Sequence, residues 1–216
     1  HKDFGSGDRI CYHGVMDMFR NPKLAAAIYA CEQEETPVLQ ITSSMDIGEH
    51  PGCNRGNIYI LSNADSVKMY KNDRFIKEYR PEMSLYKHLK HGPILIDDFI
   101  GDALEKNERF RPKHAKEMAD AMNIVARGSL NHIPKRLYPT VLKLALLYHI
   151  DFAEVTKLYT KYIGDWGGTA TVYRFDAIKN GKVIKSVTKE PVNGIRLQAE
   201  ADHTNLTEHH SYDVAL

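Results

Sequence analysis

The order of patterns along this chain limits its fold more than any single motif: strands come first, then helices, then strands again. Apolar or alternating runs at residues 38–41, 57–61, 67–70 and 75–79 have the character of half-buried strands, with Ser62-Asn63-Ala64-Asp65 and Asn72-Asp73 as turns between them. The last three read as a meander, and a meander needs a second sheet over its apolar face. From about Leu85 to Gly164 the reading becomes helical. Residues 113–127 place Ala115, Met118, Ala119, Met122, Val125 and Ala126 on one stripe, with Gly128 suited to the C-terminus. Residues 138–148 are apolar nearly all round, which predicts the central helix of a small bundle. Asp151, with Glu154 three residues on, opens the next helix, stacking Phe152, Val155, Leu158, Tyr159 and Tyr162. Strands return after Gly167 at residues 169–178, 182–188 and 195–201, the first two joined by Asn180-Gly181, a strong hairpin turn. Two separate domains would leave both strand sets as incomplete sheets with long exposed edges. The economical fold is therefore α+β: one β-sandwich made of residues 36–84 and 165–205, carrying a helical insertion at residues 85–164.

The first 35 residues do not fit that unit. Residues 10–15 read as a short buried strand. Asn21 reads as a helix cap with Pro22 at the first position, and residues 23–32 bring Leu24, Ile28 and Cys31 onto one face. One strand and one helix bury too little surface to fold alone, so residues 1–35 need a host. His1-Lys2-Asp3-Phe4 reads as the middle of a longer chain, and residues 206–216 as a linker or the start of a further strand.

Composition closes off several functions. The 216 residues are 43% hydrophobic and 26% charged, which is neither disordered nor fibrous. A net charge of +1 gives no general attraction to nucleic acid or acidic membranes, and no apolar run nears the roughly 20 residues of a spanning helix. Cys11, Cys31 and Cys53 form neither a disulfide framework nor a CxxC zinc site, so they read as inert thiols, in keeping with a reducing compartment. Asp202-His203 and His209-His210 lack a third ligand fixed by structure and read as a solvated loop rather than a metal site. Gly5-Ser6-Gly7 lacks the strand-to-helix setting of a phosphate loop. No metal and no cofactor are expected.

Four stretches carry a resemblance. Gly14-Val15-Met16-Asp17-Met18-Phe19-Arg20-Asn21-Pro22-Lys23-Leu24-Ala25-Ala26 resembles the last strand and helix of the catalytic (β/α)₈ barrel of family 2 glycoside hydrolases, the β-galactosidase-like enzymes. There a strand ending in Gly and an aliphatic residue leads through an Arg-x-Pro-Lys step into the last helix. The stretch from Ile58-Tyr59-Ile60-Leu61-Ser62-Asn63 through Asn72-Asp73 is similar to the immunoglobulin-like β-sandwich that follows the barrel, although the turn there is Asn-Gly. Residues 173–183 and 197–202 resemble that domain's later hairpin and closing strand. The helical insertion is not part of the common pattern. The resemblance implies a retaining exo-glycosidase acting on β-glycosides, with β-galactosides foremost. Its two catalytic glutamates would lie upstream of Gly14, so no catalytic residue is assigned within this chain. The implied partners are the carbohydrate substrate, through the parent's catalytic domain, and the rest of the same polypeptide; subunit contacts in a homo-oligomer are also implied, and neither nucleic acid nor membrane is.

Within this chain His13 is the main candidate for substrate contact, with Cys11 and Tyr12 beside it. The position approaches the sugar in the family, as Asn in large bacterial β-galactosidases and as Lys in β-glucuronidases. The alternative is a histidine satisfied by backbone partners. Trp166, the only tryptophan, could stack on a sugar ring, but an anchor joining the insertion to the sandwich is the preferred reading. Asp97-Asp98 would point to opposite faces of a strand and read as a strand end and helix cap rather than a catalytic pair. The rival from another class is a stand-alone carbohydrate-binding or scaffolding module, which would have no need of the strand–helix segment at the start.

Overall fold

A computed structural model of the chain describes residues 14–17, 19–46, 48–128, 134–148, 151–165, 171–191, 200–201 and 214–215. In chain order they form helix α1 (Leu24–Ala30), strands β1 (Leu39–Ile41), β2 (Tyr59–Ser62), β3 (Ser66–Lys71), β4 (Arg74–Tyr79) and β5 (Ile94–Leu95), helices α2 (Ala103–Glu108), α3 (Pro112–Arg127), α4 (Tyr138–Tyr148) and α5 (Phe152–Tyr159), and strands β6 (Tyr173–Lys179), β7 (Lys182–Lys189), β8 (Glu200–Ala201) and β9 (Val214–Ala215). Helices and antiparallel sheets are mixed, an α+β arrangement. No helix among the described residues is long and apolar enough to cross a membrane.

The strands form a three-stranded sheet in the order β1-β2-β5 and a four-stranded sheet in the order β4-β3-β6-β7, both antiparallel. Both sheets and the helices contribute to one apolar core. Leu39, Ile41, Ile60 and Ile94 enter it from the first sheet, and Val67, Met69, Tyr79, Tyr173, Phe175 and Ala177 from the second. In β6 this is strict alternation, with Arg174 and Asp176 on the wetter face. Strand β7 is an edge, largely exposed and carrying Lys182, Lys185 and Lys189, which discourages pairing with another chain. The short ribbon β8–β9 pairs only with itself among the described residues.

The meander expected over β2, β3 and β4 is split between the sheets. β3 and β4 do form a hairpin, but β2 pairs with β1 and β5 and never with β3. The residue that decides this is Asn63, 1% exposed. Its side-chain oxygen accepts from the Val38 N–H at 2.8 Å, and its amide donates to the carbonyls of Gln33 (2.8 Å) and Thr36 (2.9 Å). These bonds hold the end of β2 beside the start of β1. Asp65 then begins the second sheet: its N–H donates to Ile178 O at 2.9 Å, and its carboxylate accepts from Asn180 N–H at 2.8 Å. The two true hairpin turns, Asn72-Asp73 (φ 48 and 60°) and Asn180-Gly181 (φ 51 and 73°), have both central residues left-handed, which matches the twist of the strands they join.

The helical region differs from expectation in two places. It does not begin at Leu85: β5 comes first and extends the three-stranded sheet, with Ile96 N–H continuing onto Ile58 O at 2.8 Å, and helix starts only at Ala103. Nor is α4 a central helix. Tyr138, Leu142 and Leu146 are 58, 59 and 63% exposed, so the face they share is bare. Helix α3 behaves as its stripe predicts. Ala115, Met118, Ala119, Met122 and Ala126 are buried, and Val125 packs against the same core from its margin. Asp151 caps α5 through the Glu154 N–H at 2.7 Å. The α1 cap is misplaced in the sequence reading. Helix α1 starts at Leu24, because the Asn21 side chain and N–H are taken by the Asp17 carboxylate (3.0 and 2.9 Å) and Pro22 bridges back to Met16.

Replacing Asn63 with Ala leaves the Val38 N–H without its acceptor in a nearly dry site, so Asn63→Ala is expected to destabilise the fold by about 1–3 kcal/mol in urea unfolding. A loss under about 0.5 kcal/mol would mean that water replaces the side chain.

Candidate functional site

Cys11, Tyr12, His13 and Trp166 all lie outside the described residues, as do residues 5–7, His203, His209 and His210. What can be described is the structure that Trp166 follows. Asp165 ends helix α5 and a single π-type turn, Thr160–Gly164, in a left-handed conformation (φ 56°). Its carboxylate is 2% exposed and lies where three parts of the chain meet. Oδ2 accepts from the Arg55 guanidinium and from the Tyr173 hydroxyl (3.1 Å); Oδ1 accepts from the Lys71 ammonium (2.6 Å) and the Thr171 hydroxyl (3.2 Å).

Arg55 and Lys71 are two buried cations against one carboxylate. The remaining compensation comes from the helix end. Arg55 Nε and Nη2 donate to Ile163 O at 2.9 and 2.6 Å, and Lys71 Nζ donates to Tyr162 O at 2.8 Å. The last carbonyls of a helix lack intrahelical partners and form the negative end of its dipole, so cations belong there. The Tyr173 ring adds its negative face, 5.9 Å from the Arg55 carbon and 5.2 Å from the Lys71 nitrogen. Burial alone would lower the Lys71 pKa, but Tyr173 and Asp165 outweigh it and hold the ammonium above its ordinary value. Burial pushes the Tyr173 hydroxyl up.

The loop bearing Arg55 is fixed on the other side too. Arg55 and Gly56 N–H both donate to Ala126 O at the end of α3 (2.7 and 3.1 Å), and Asn54 Oδ1 accepts from the Tyr159 hydroxyl at 2.8 Å. Sequence reasoning missed Arg55, Lys71 and Tyr173, and touched Asp165 only as the neighbour of Trp166. The signal was thin: an Arg next to Gly in an irregular loop, and a Lys at a strand end.

Beside this cluster a cleft of about 970 Å³ runs between the β3–β4 turn, α2 and α5. Ile76, Phe99, Ile100 and Ala103 supply apolar surface; Asn72, Asn107, Thr156 and Lys157 supply polar groups. Two of its cations are locally neutralised, Arg74 by Asp102 (2.5 Å) and Lys161 by Glu108 (2.7 Å). Such a lining suits a neutral ligand with both apolar and polar faces.

Asp97, Asp98 and Glu34 serve the fold. Asp97 pairs with Lys77 at 2.8 Å. Asp98 Oδ1 accepts from Ile100 N–H (2.9 Å), Gly101 N–H (3.0 Å) and the buried Asn123 amide (2.8 Å), capping the turn before α2. Glu34 accepts from Lys90 and Lys179 and faces His91 Nε2 at 3.2 Å, tying the segment after α1 to both sheets; these hydrogen bonds hold its carboxyl down at about 2. No three His, Cys, Asp or Glu side chains among the described residues form a metal-binding group.

No protein-family profile matches the chain. Over 100 residues it is 41% identical to a beta-galactosidase of Thermoanaerobacterium thermosulfurigenes, a stretch covering 45% of this chain and 14% of that protein. Over 94 residues it is 39% identical to a beta-galactosidase of Thermoanaerobacter pseudethanolicus, covering 42% and 12%. The chain is related to glycosidases. The matched stretch is a small part of each relative. The crystal structure of a beta-glycosidase from Bacteroides vulgatus superimposes on 91% of this chain, with a TM-score of 0.43 and 10% identity, and 16% of that chain is covered.

Removing the Asp165 charge should leave two buried cations uncompensated. Asp165→Asn keeps the shape and tolerates the left-handed backbone, so it isolates the charge; an expected loss of about 3–5 kcal/mol can be read by chemical denaturation. Introducing Lys71→Met into that variant should recover part of the loss, and no recovery would mean that the two sites do not interact. The Glu34 pairs have a defined pH window. A carboxyl whose folded pKa is depressed stabilises the fold above its unfolded value, near 4.3, and the contribution is lost as pH falls through about 2. Glu34→Gln should therefore narrow the stability gap between pH 6 and pH 2.5 in thermal melts, relative to the unaltered chain.

Proposed function

We propose that this chain is the C-terminal portion of a retaining exo-glycosidase of glycoside hydrolase family 2, hydrolysing β-glycosides, with β-galactosides as the preferred substrates. The observation that carries this reading is the 41% identity over 100 residues with a beta-galactosidase of which the matched stretch forms only 14%. Residues 1–35 would be the last strand and helix of the catalytic barrel. Residues 36–84 and 165–205 would be the immunoglobulin-like sandwich behind it, residues 85–164 an insertion into that sandwich, and residues 206–216 the approach to a further strand.

In this reading the portion braces the catalytic domain and contains neither catalytic glutamate. Retaining hydrolysis needs two carboxyl groups about 5–5.5 Å apart, one to protonate the leaving oxygen and one to form the glycosyl-enzyme. Among the described residues the buried carboxylate, Asp165, is spent on two cations, and Asp97 and Asp98 on Lys77 and a capped turn. The exposed apolar side chains Met16, Phe19 and Leu24 would be available to pack against the rest of that barrel. His13, flanked by Cys11 and Tyr12, would reach the sugar from the end of the last barrel strand, while Trp166 would anchor the insertion.

Hydrolysis of aryl β-galactoside, β-glucuronide, β-glucoside and β-mannoside should be compared for this chain and for the same chain joined to its upstream region. Turnover is expected only with the upstream region present, and fastest on the galactoside. Turnover by the 216 residues alone would sink the reading. In the joined protein, His13→Ala is expected to lower kcat/KM about tenfold, the effect of about 1.4 kcal/mol of lost transition-state binding.

A further inference from the structure

A bulge decides which way one aromatic ring points. Strand β4 pairs with β3 in regular register as far as Met69 opposite Lys77 and resumes at Tyr70 opposite Phe75, so Ile76 is an extra residue with nothing opposite it. In an unbroken ladder Ile76 would stand beside Tyr70 on the outer face of the sheet, and Phe75 would turn inward beside Lys71. The bulge exchanges them. Ile76 joins the core at 8% exposed, and Phe75 lies outside at 48% exposed. Exposing the larger ring gives up apolar burial, and bulges that re-aim a side chain in this way are frequent beside binding sites.

On that outer face the register brings Phe75 of β4, Tyr70 of β3, Arg174 of β6 and Thr188 of β7 into one row across four strands. The Phe75 and Tyr70 rings meet edge to face, with centroids 5.8 Å apart and planes at 69°. The Arg174 guanidinium lies over the Tyr70 ring, 4.5 Å from its centroid, and is held there by Asp73 at 2.6 Å and Asp176 at 3.2 Å. The next row is Glu78, Lys68, Asp176 and Ser186, where the Ser186 hydroxyl donates to Asp176 Oδ1 at 2.8 Å. Arg80 meets Glu78 at 3.1 Å. The cations Lys68, Arg80 and Arg174 thus stand against the anions Asp73, Glu78 and Asp176, and the face is neutral while rich in donors and acceptors.

We propose that this face binds an extended, neutral, β-linked oligosaccharide lying across the strands. A pyranose ring has a C–H face that stacks on an aromatic ring and a rim of hydroxyls that each donate and accept, and the row offers a partner for both. Phe75 supplies the exposed ring. Arg174 supplies N–H donors on a plane already fixed against Tyr70, and the exposed hydroxyls of Thr188 and Ser186 continue the polar part to the edge strand. Strands lie about 4.8 Å apart, so a straight chain of sugar rings meets a new side chain roughly once per ring. A charged ligand finds no net attraction here, because the ionic groups are matched on the face itself. A protein partner would want a broad apolar centre, and this row offers one half-exposed ring among paired charges. The site is a binding function that no hydrolytic step requires, and it does not depend on the glycosidase reading.

Titration of the isotope-labelled 216-residue chain with cellotetraose, followed by amide chemical shifts, tests this. Saturable shifts are expected around Lys68, Tyr70, Phe75, Arg174, Ser186 and Thr188, with a millimolar dissociation constant that salt leaves unchanged. Glucose, a single ring, should bind far more weakly. Phe75→Ala should raise the dissociation constant roughly tenfold while the circular dichroism spectrum stays unchanged. Thr188→Glu, on the exposed edge strand, loses no packing and puts a charge into the row, so it should weaken binding even if Phe75→Ala proves unstable. No saturable shift, shifts centred elsewhere, or undiminished binding by folded Phe75→Ala and Thr188→Glu variants overturns the proposal. So does movement of the same amides with protein concentration alone, since a second copy would then be the occupant. The titration involves no turnover, so its failure and a failed hydrolysis assay are separate results.

Discussion

Asp165 is one carboxylate facing two cations in a nearly dry site, and the junction between the sheets and the helices depends on it. Lys71 comes from the end of β3, Tyr173 from the start of β6, Arg55 from the loop before β2, and Asp165 itself from the end of α5 and its π turn. Buried ions are costly to desolvate, and this set survives because each charged nitrogen has at least one acceptor and the helix end adds its own negative potential. An apolar seam of the same area would stabilise the junction without fixing its geometry. Hydrogen bonds with direction do fix it: Arg55 can reach Ile163 O, Met45 O and Asp165 together from only one placement of the loop.

That junction explains why the helices and sheets share one core. Ala103 and Leu104 of α2, Met118 and Met122 of α3, and Leu158 and Tyr162 around the α5 end belong to the same cluster as the facing strands. The helical stretch is thus not an independent bundle. It leans on the four-stranded sheet, which leaves α4 at the margin with one face bare. The cleft between the β3–β4 turn, α2 and α5 lies along the same junction, and the ion cluster forms part of its wall.

Two surfaces of the described region leave large apolar side chains exposed. One consists of Met16, Phe19 and Leu24, around the start of α1, a helix that lies against β1 and β2. The other consists of Tyr138, Leu142 and Leu146 on α4. Each is a surface with unspent hydrophobic area.

Much of the local structure was legible in the sequence, because it is set by neighbours along the chain. The α3 stripe, the Asp151 cap and both left-handed turns follow from period, side-chain reach and backbone sterics within a few residues. The alternation of Tyr173, Phe175 and Ala177 likewise needs nothing beyond a strand with one wet face. What only the tertiary structure decided involves partners far apart. Asn63 moves β2 into a different sheet from β3 by bonding to residues before β1, and no period records that. Asp165 finds Arg55 across 110 positions of sequence. A two-residue strand such as β5 is too short to carry a pattern, and α4 reads as central because composition reports how apolar a helix is, not whether a neighbour exists to cover it. Periodicity encodes which faces want burial; the choice of what buries them is made by packing and by directed polar contacts.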